Sequence, residues 1–265
     1  MSQTYHNDVP ERVVPSEVPY FLWQEHINRY VFALHFVSSK VVLDVACGTG
    51  YGTELISKVA NLAVGVDISR EALSYASKSC RKNAHMTFVL ADAKNLPFRN
   101  DAFDTIISFE TIEHLMPPQD FLHQVQSVLK LDGQLIISTP NGKLSSLYRD
   151  KPMNPFHLRE YTKQEFSNLI GIFSQRPQFY GQCPTFLALF PFVDHHITSF
   201  LRTIYRTSRG MLGKIIATAP SSSSGRELDN KIIIDSSYRV TKKLGLYPFY
   251  CPTYFIVVIK NEKNL

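Results

Sequence analysis

The hydrophobic pattern changes period along the chain. Within 20–37, Phe21, Ile27, Val31 and Leu34 recur at roughly helical spacing, with no glycine or proline after Pro19. That predicts a helix ahead of the main domain, preceded by an irregular arm that carries Pro10, Pro15 and Pro19. From residue 41 the period shortens. The runs 41–46, 62–67, 86–91, 103–109 and 134–139 are short and continuously apolar, as strands buried on both faces are. Helical stretches at 53–59, 70–81 and 119–129 alternate with them. Alternation at this pitch predicts an α/β fold, a Rossmann-like doubly wound and mostly parallel sheet. Right-handed crossovers put the C-terminal strand ends on one edge, where ligands bind near the reversal of strand order. Beyond Pro140-Asn141-Gly142 the pattern weakens to a helix at 163–173 and short strands at 178–181 and 253–260. Residues 183–225 fit no such step. They are aromatic and basic, with Phe186, Phe190, Arg202, Tyr205 and Arg206, and they end in Ser221-Ser222-Ser223-Ser224-Gly225.

The expected organisation is an arm and lid helix at 1–39, a Rossmann-like domain at 40–182 and 246–265, and an α-rich insertion or substrate cover at 183–245. Composition bounds the function. A 265-residue chain with 44% hydrophobic and 19% charged residues builds a packed core and is not globally disordered. The net charge of +5 comes without a dense Lys/Arg block, so nucleic acid is disfavoured as a partner. No apolar stretch of about 18 residues and no signal-type leader is visible. The four cysteines, Cys47, Cys80, Cys183 and Cys251, have no paired spacing, which fits a reducing, cytoplasmic setting.

The strongest chemical signal spans 41–52. A strand delivers Asp44 to its end, and Gly48, Gly50 and Gly52 follow at every second position. Glycine there lets the backbone approach a ligand. Asp67 ends the next strand 23 positions after Asp44, near the roughly 20-residue interval of an acid that grips ribose hydroxyls. Asp44 stands four positions ahead of the first glycine, where its charge would repel a pyrophosphate and attract an ammonium or sulfonium. The pattern therefore favours S-adenosylmethionine over a nicotinamide dinucleotide. The plain alternative is a tight strand–helix turn without a ligand.

These residues resemble class I S-adenosylmethionine-dependent methyltransferases. Val42-Leu43-Asp44-Val45-Ala46-Cys47-Gly48-Thr49-Gly50 is similar to the family's first motif and Gly65-Val66-Asp67-Ile68-Ser69 to its second. Ala91-Asp92-Ala93, Phe103-Asp104-Thr105-Ile106-Ile107-Ser108 and Leu129-Lys130-Leu131-Asp132-Gly133 follow in the family's order. The resemblance covers about 40–142. It implies a seven-stranded sheet with an antiparallel last strand, at 253–260, and S-adenosyl-L-methionine as cofactor. By the same resemblance Asp44, Ala46, Gly48 and Gly50 cradle the methionine moiety, and Asp67 holds the ribose. Ile68 packs on adenine, Asp92 and Ala93 meet its edge, and Tyr30 of the lid reaches the cofactor carboxylate. Tyr30 as a packing aromatic and Asp92 as an exposed turn carboxylate are the alternatives.

A second constellation, Glu110-Thr111-Ile112-Glu113-His114, leaves the sheet at the ligand edge after the fourth strand. A helical turn begun at Glu110 would place Glu113 and His114 on one face. His157, in Asn154-Pro155-Phe156-His157, follows the fifth strand from the same edge. Carboxylates and imidazoles so grouped suit a divalent metal such as Mg, Mn or Zn. The set resembles metal-dependent O-methyltransferases of ubiquinone biosynthesis, with a Glu-x-x-Glu-His segment, and small-RNA 2′-O-methyltransferases, which add a distant histidine. The metal ligands would be Glu110, Glu113, His114 and His157. Without a metal, Glu113 supports the loop, and His114, or next His157, serves as the catalytic base that takes a hydroxyl proton.

The acceptor expected first is a small-molecule hydroxyl compound such as a saccharide, because the N-terminal Glu25-His26-x-x-Arg29-Tyr30 and the Asn-Pro-Phe-His piece resemble bacterial methyltransferases associated with such metabolites. A quinone-precursor phenol, an RNA 2′-hydroxyl and a catalytically inactive cofactor-binding partner protein are the alternatives. The basic, partly amphipathic 197–216 stretch leaves peripheral membrane contact open beside a lid or dimer contact. Monomer and homodimer both stay open.

Overall fold

The computed structural model describes residues 13–15, 17–18, 20–81, 83–145, 152, 154–174, 176–182, 240–241 and 254–262. Most of the expected insertion, the 197–216 stretch, residues 1–12 and two cysteines, Cys183 and Cys251, lie outside them.

Helix α1 (Tyr20–Val37) leads into β1 (Val41–Val45) and α2 (Tyr51–Ser57). Next come β2 (Leu62–Asp67), α3 (Arg70–Ser79), β3 (Met86–Leu90), β4 (Phe103–Phe109), a 3-10 turn (Ile112–His114) and α4 (Pro118–Val128). Strand β5 (Leu129–Pro140) follows, then α5 (Gly142–Ser145), α6 (Lys163–Ile170), β6 (Gln178–Gln182), β7 (Val240–Thr241) and β8 (Tyr254–Lys260). The sheet order is β3-β2-β1-β4-β5-β8-β6-β7. Strands β1 to β5 run parallel, and β8 lies antiparallel between β5 and β6. The seven expected strands are present with the antiparallel last strand. The eighth, β7, is two residues long and pairs with β6 inside the range assigned to the insertion.

Strands β1, β2, β4 and the later part of β5 are apolar on both faces because both are covered, whereas β3 at the sheet edge is partly exposed. On one face α1 and α2 bury Ile27, Tyr30, Ala33, Val37, Leu55 and Ile56 against Val42, Ile107, Ile136 and Ile256. On the other, Phe121, Leu122 and Val125 of α4 and Phe166 and Ile170 of α6 pack on Leu43, Ile106, Leu135 and Val257. Helix α1 stops where Ser39 takes a left-handed φ of 57° and turns the chain into β1. Helix α6 starts with a capping box in which Thr162 and Glu165 exchange hydrogen bonds, an arrangement worth about 1 kcal/mol.

Two boundaries differ from the sequence reading for local reasons. Strand β5 begins five residues earlier than its apolar run. Residues 129 and 134 both pair with β4, and the stretch between them bulges, with Asp132 left-handed at φ 61°. Helix α2 begins at Tyr51, so Gly52 lies inside the helix and not in the turn.

The chain runs from β1 outward to β3 and then crosses to β4 on the other side of β1. The order reverses between β1 and β4, and their C-terminal ends face the expected ligand crevice. Gln182 and Tyr254 pair with each other, and Tyr254 with Pro140, so the end of β6 and the start of β8 share that edge. No helix among the described residues is long and apolar enough to cross a membrane.

Candidate active site

After β1 the chain places Ala46, Gly48 and Gly50 in left-handed conformations, at φ 60°, 55° and 79°. For Ala46 this costs roughly 1–2 kcal/mol, and strain of that kind collects at functional sites. Asp67, at the end of β2, holds the loop: one carboxylate oxygen accepts the Gly48 amide at 2.8 Å, and the other accepts the Ser69 amide at 2.8 Å.

The three glycines do different work. A Cβ on Gly48 would meet nothing within 4 Å, so this position faces open space. A Cβ on Gly50 would lie 2.7 Å from the Phe88 ring and 2.8 Å from Ala76, so Gly50 lets the loop pack on β3 and α3. A Cβ on Gly52 would lie 2.1 Å from the Tyr30 ring. Gly52 thus admits the lid helix, and Gly48 is the member of the series that a ligand can approach.

Asp44 is buried beneath that contact. It accepts the Thr53 hydroxyl at 2.6 Å and the Tyr30 hydroxyl at 3.1 Å. Burial pushes its carboxyl up to about 7, while the Thr53 and Tyr30 hydrogen bonds pull the other way. Tyr30 therefore points at Asp44, and its ring meets Phe109 edge-on. Beyond Asp67, Ile68 is 71% exposed at the crevice, an apolar side chain without an apolar cover. The Ala91 amide donates to the Asp67 carbonyl at 3.1 Å, so Asp92 and Ala93 continue from the same point. Asp92 accepts the Lys94 amide at 2.8 Å.

The second cluster lies after β4. Glu110 takes a left-handed φ of 52°, and the helical turn begins at Ile112. The expected turn starting at Glu110 does not form, because Ser138 of β5 holds that side chain: its hydroxyl donates to Glu110 at 2.6 Å. Glu113 is fully buried. One of its oxygens accepts the Thr139 hydroxyl at 3.1 Å, and the other, Oε1, has no hydrogen-bond partner. Burial, with the neighbouring Glu110 carboxylate, pushes the Glu113 carboxyl well above the usual range. Burial also raises Glu110, against the opposing pull of Arg29. The Glu113 carbonyl accepts the Leu158 amide at 2.8 Å, which folds the 154–160 loop over the cluster.

That loop brings His157 to His114, ring centres 4.9 Å apart. The His114 Nδ1 lies 2.9 Å from the Phe156 carbonyl, an acceptor, so in the neutral imidazole the proton sits on Nδ1 and the lone pair on Nε2. His157 is held at both nitrogens, Nδ1 by Glu160 at 2.6 Å and Nε2 by the Asn154 amide at 2.9 Å. Donor atoms of Glu113, His114 and His157 lie within 4.8 Å of one another, close enough for one metal ion. The unpartnered Glu113 Oε1 suits such an ion, and His114 would offer Nε2, since its Nδ1 is held by Phe156. Glu110 is not in this group, and His157 would have to exchange its Asn154 contact.

Arg29 was not among the residues expected at the site. It is fully buried and donates to the Gln182 side chain at 2.8 Å, with its guanidinium 4.6 Å from the centre of the Tyr254 ring. The available signal was an arginine on the apolar stripe of α1, between Ile27 and Ala33. Thr53, Ser138 and Thr139 were also missed. They supply the hydroxyls that hold the acids, Thr53 from α2 and the other two from β5, and a hydroxyl residue within an apolar element gives no periodic signal.

Comparison with known proteins agrees with this layout. Residues 43–137 match the family model described as a methyltransferase domain. The chain is 30% identical over 161 residues to a protein of Mycobacterium tuberculosis described as a probable S-adenosylmethionine-dependent methyltransferase; the match covers 60% of this chain and 58% of that protein. It is 30% identical over 133 residues to a demethylmenaquinone methyltransferase of Tropheryma whipplei, covering 49% of this chain and 55% of that one. The chain thus spans little more than half the length of these relatives. Among solved structures, an S-adenosylmethionine-dependent methyltransferase from Thermotoga maritima shares the fold, with a TM-score of 0.55 at 17% identity, covering 92% of this chain and 94% of that one. The cyclase SpnF shares it too, with a TM-score of 0.59 at 14% identity, covering 96% of this chain and 87% of that one. Residues 43–137, which hold the glycine loop, Asp67 and the Glu110–His114 segment, thus match a methyltransferase domain, and the chain is similar to S-adenosylmethionine-dependent methyltransferases.

Proposed function

We propose that the protein transfers the methyl group of S-adenosyl-L-methionine to a hydroxyl of a small molecule, with His114 as the base. The observation that carries this reading is the His114 imidazole. Its Nδ1 is committed to a backbone carbonyl, which leaves Nε2 as the nitrogen that can take a proton, and it follows β4 at the C-terminal sheet edge that also carries the glycine loop. Gly48 and Ala46 shape the cradle for the methionine moiety, Asp67 receives the ribose, and Ile68, Asp92 and Ala93 line the adenine side. The acceptor oxygen attacks the methyl in line. The new C–O bond forms as the C–S bond breaks, the bonding pair stays on sulfur, and the hydroxyl proton passes to His114 Nε2. Most of the rate comes from holding oxygen and methyl in line, which is worth up to roughly 7–11 kcal/mol. A divalent ion, when bound, would lower the pKa of the acceptor hydroxyl. Glu113 and His114 would be its first ligands, with His114 Nε2 then on the ion in place of its role as the base.

A phenolic quinone precursor is the second reading. Met116, Phe156 and Leu158 flank the histidines and are all exposed, an apolar rim that suits a ring more than a sugar. The demethylmenaquinone methyltransferase relative points the same way. Transfer of labelled methyl to a panel of saccharides and phenols tests both readings. His114→Gln is expected to lower the rate by about 10²–10⁴-fold while S-adenosylhomocysteine still binds. A variant as fast as the wild type would remove His114 as the base.

A further inference from the structure

His157 has both ring nitrogens engaged. Its Nδ1 lies 2.6 Å from Glu160 Oε1, and its Nε2 lies 2.9 Å from the Asn154 side-chain nitrogen. The Asn154 side-chain oxygen accepts the Phe156 amide at 3.1 Å, which fixes the orientation of that side chain. The atom facing His157 Nε2 is therefore an amide nitrogen, which only donates. Nε2 must accept, so Nδ1 carries the proton and donates it to Glu160. The two side chains of that pair are only 10% and 7% exposed. The other Glu160 oxygen, Oε2, is buried with no hydrogen-bond partner. Among the described residues, Glu160 thus spends its side-chain hydrogen bonding on this imidazole alone. A carboxylate is costly to bury, and one committed in this way serves to hold the ring it touches.

What the held ring supports is His114. The two imidazoles meet edge to face, with centres 4.9 Å apart and planes at 79°. His114 also rests on the Phe156 carbonyl, and Phe156 stands in the turn between Asn154 and His157. The His157 amide closes that turn on the Asn154 backbone carbonyl at 3.1 Å. The Glu113 carbonyl accepts the Leu158 and Arg159 amides at 2.8 and 3.2 Å, which ties the loop to the residue before His114. A base works only in the right tautomer and orientation. In a Ser-His-Asp triad a buried carboxylate sets both by accepting the Nδ1 proton. Here a backbone carbonyl accepts the His114 Nδ1 proton, and a carbonyl is aimed only as well as its loop is held. An imidazole in water prefers its proton on Nε2, so both histidines depend on their acceptors to keep it on Nδ1.

We propose that Asn154, His157 and Glu160 are positioning residues, a clamp that holds the Phe156 carbonyl and the His114 ring so that His114 keeps its proton on Nδ1 and its lone pair on Nε2. The assignment rests on His114 as the base, and it makes His157 neither a base nor a metal ligand. Nitrogen-15 spectra of the histidine rings read the tautomers directly. They are recorded at pH 8.5, where an ordinary histidine is neutral, and assigned with His114→Gln and His157→Gln. The wild type is expected to show Nδ1–H at both residues. Glu160→Leu removes the acceptor: His157 moves to Nε2–H, and His114 loses its pure Nδ1–H signature. Glu160→Gln keeps an acceptor oxygen and restores both. Unmoved signals from the other histidines show that a variant is folded. Should Glu160→Leu disturb them, Asn154→Ala, which opens the turn, is expected to give the same change at His114. With a phenol or saccharide shown to react in the labelled-methyl panel, Glu160→Leu lowers kcat by up to about 10²-fold while the KM for S-adenosylmethionine stays put. Glu160→Gln recovers most of that loss. A His114 that keeps its tautomer in folded Glu160→Leu or Asn154→Ala overturns the clamp. So does a Glu160→Gln as slow as Glu160→Leu, because the carboxylate would then act by its charge. Calorimetric binding of Zn²⁺ that His157→Gln abolishes makes His157 a ligand and also overturns it. The base itself fails separately: His114→Gln at full rate removes that reading and leaves the tautomer result standing.

Discussion

Gly48 and Gly52 share a residue type and a motif but not a task, and two substitutions separate them. Alanine at Gly48 would have room, with nothing within 4 Å, but would sit at φ 55° and project into the space assigned to the cofactor. Gly48→Ala is expected to cost about 1–2 kcal/mol of stability and to weaken S-adenosylhomocysteine binding much more than that. Alanine at Gly52 would press on the Tyr30 ring at 2.1 Å. Gly52→Ala is expected to lower stability by about 1–3 kcal/mol through overpacking and to loosen α1. Thermal melts beside calorimetric titrations check the pair. Equal losses of affinity per kcal/mol of stability in the two variants would show that Gly48 does not face the cofactor.

At the scale of elements, Asp104 ties three strands at the edge opposite the site. It accepts the Val41 amide at 2.8 Å and the Lys130 ammonium at 2.8 Å, so it joins the start of β4 to β1 and β5. Burial opposes its charge, but these partners outweigh that and hold its carboxyl below the usual value. A depressed carboxyl adds stability above the unfolded pKa and loses it as pH falls through the folded one. Asp104→Asn is therefore expected to cost about 1 kcal/mol at pH 7, and the cost should vanish near pH 2. Urea denaturation at both pH values reads this out, and an equal cost at both would rule out the charge as its source. The strand runs themselves were legible because β1, β2, β4 and β5 are buried on both faces and so show as unbroken apolar stretches. Bulges and helix starts were not. The Asp132 bulge and the entry of Gly52 into α2 depend on contacts with β4 and Tyr30, partners distant in sequence. The local geometry was legible where an unusual residue ends an apolar strand or takes a left-handed turn, as at Asp44, Gly48 and Asp67. It was not legible where a long-range partner decides. Ser138 pulls Glu110 away from the Glu113, His114 and His157 group, and no spacing of those acids announces it.

For the whole molecule, the crevice edge gathers three acids whose burial raises their pKa: Asp44, Glu110 and Glu113. Between the ordinary carboxylate range and the raised value, the folded chain holds protons that the unfolded chain has released. Stability therefore falls as pH rises through that window and levels off only above the folded pKa. For Asp44 the window runs from 3.8 to about 7. A span of that width corresponds to roughly 4 kcal/mol of stability forgone at neutral pH. A cofactor that brings an ammonium and a sulfonium to this edge favours the ionised acid. Its binding should then release a proton and tighten as pH rises from 6 to 8. Urea denaturation from pH 5 to 8.5 is expected to show declining stability for the wild type. Asp44→Asn should flatten part of that decline and be the more stable protein at pH 8, yet lose most of its affinity for S-adenosylhomocysteine. The ligand's ammonium then supplies the compensation that the empty fold lacks, and calorimetry in buffers of different ionisation enthalpy counts the proton. Binding without proton release, together with a wild-type stability that rises from pH 5 to 7, would mean that Asp44 is already ionised in the empty protein and that its burial does not serve the cofactor's charge.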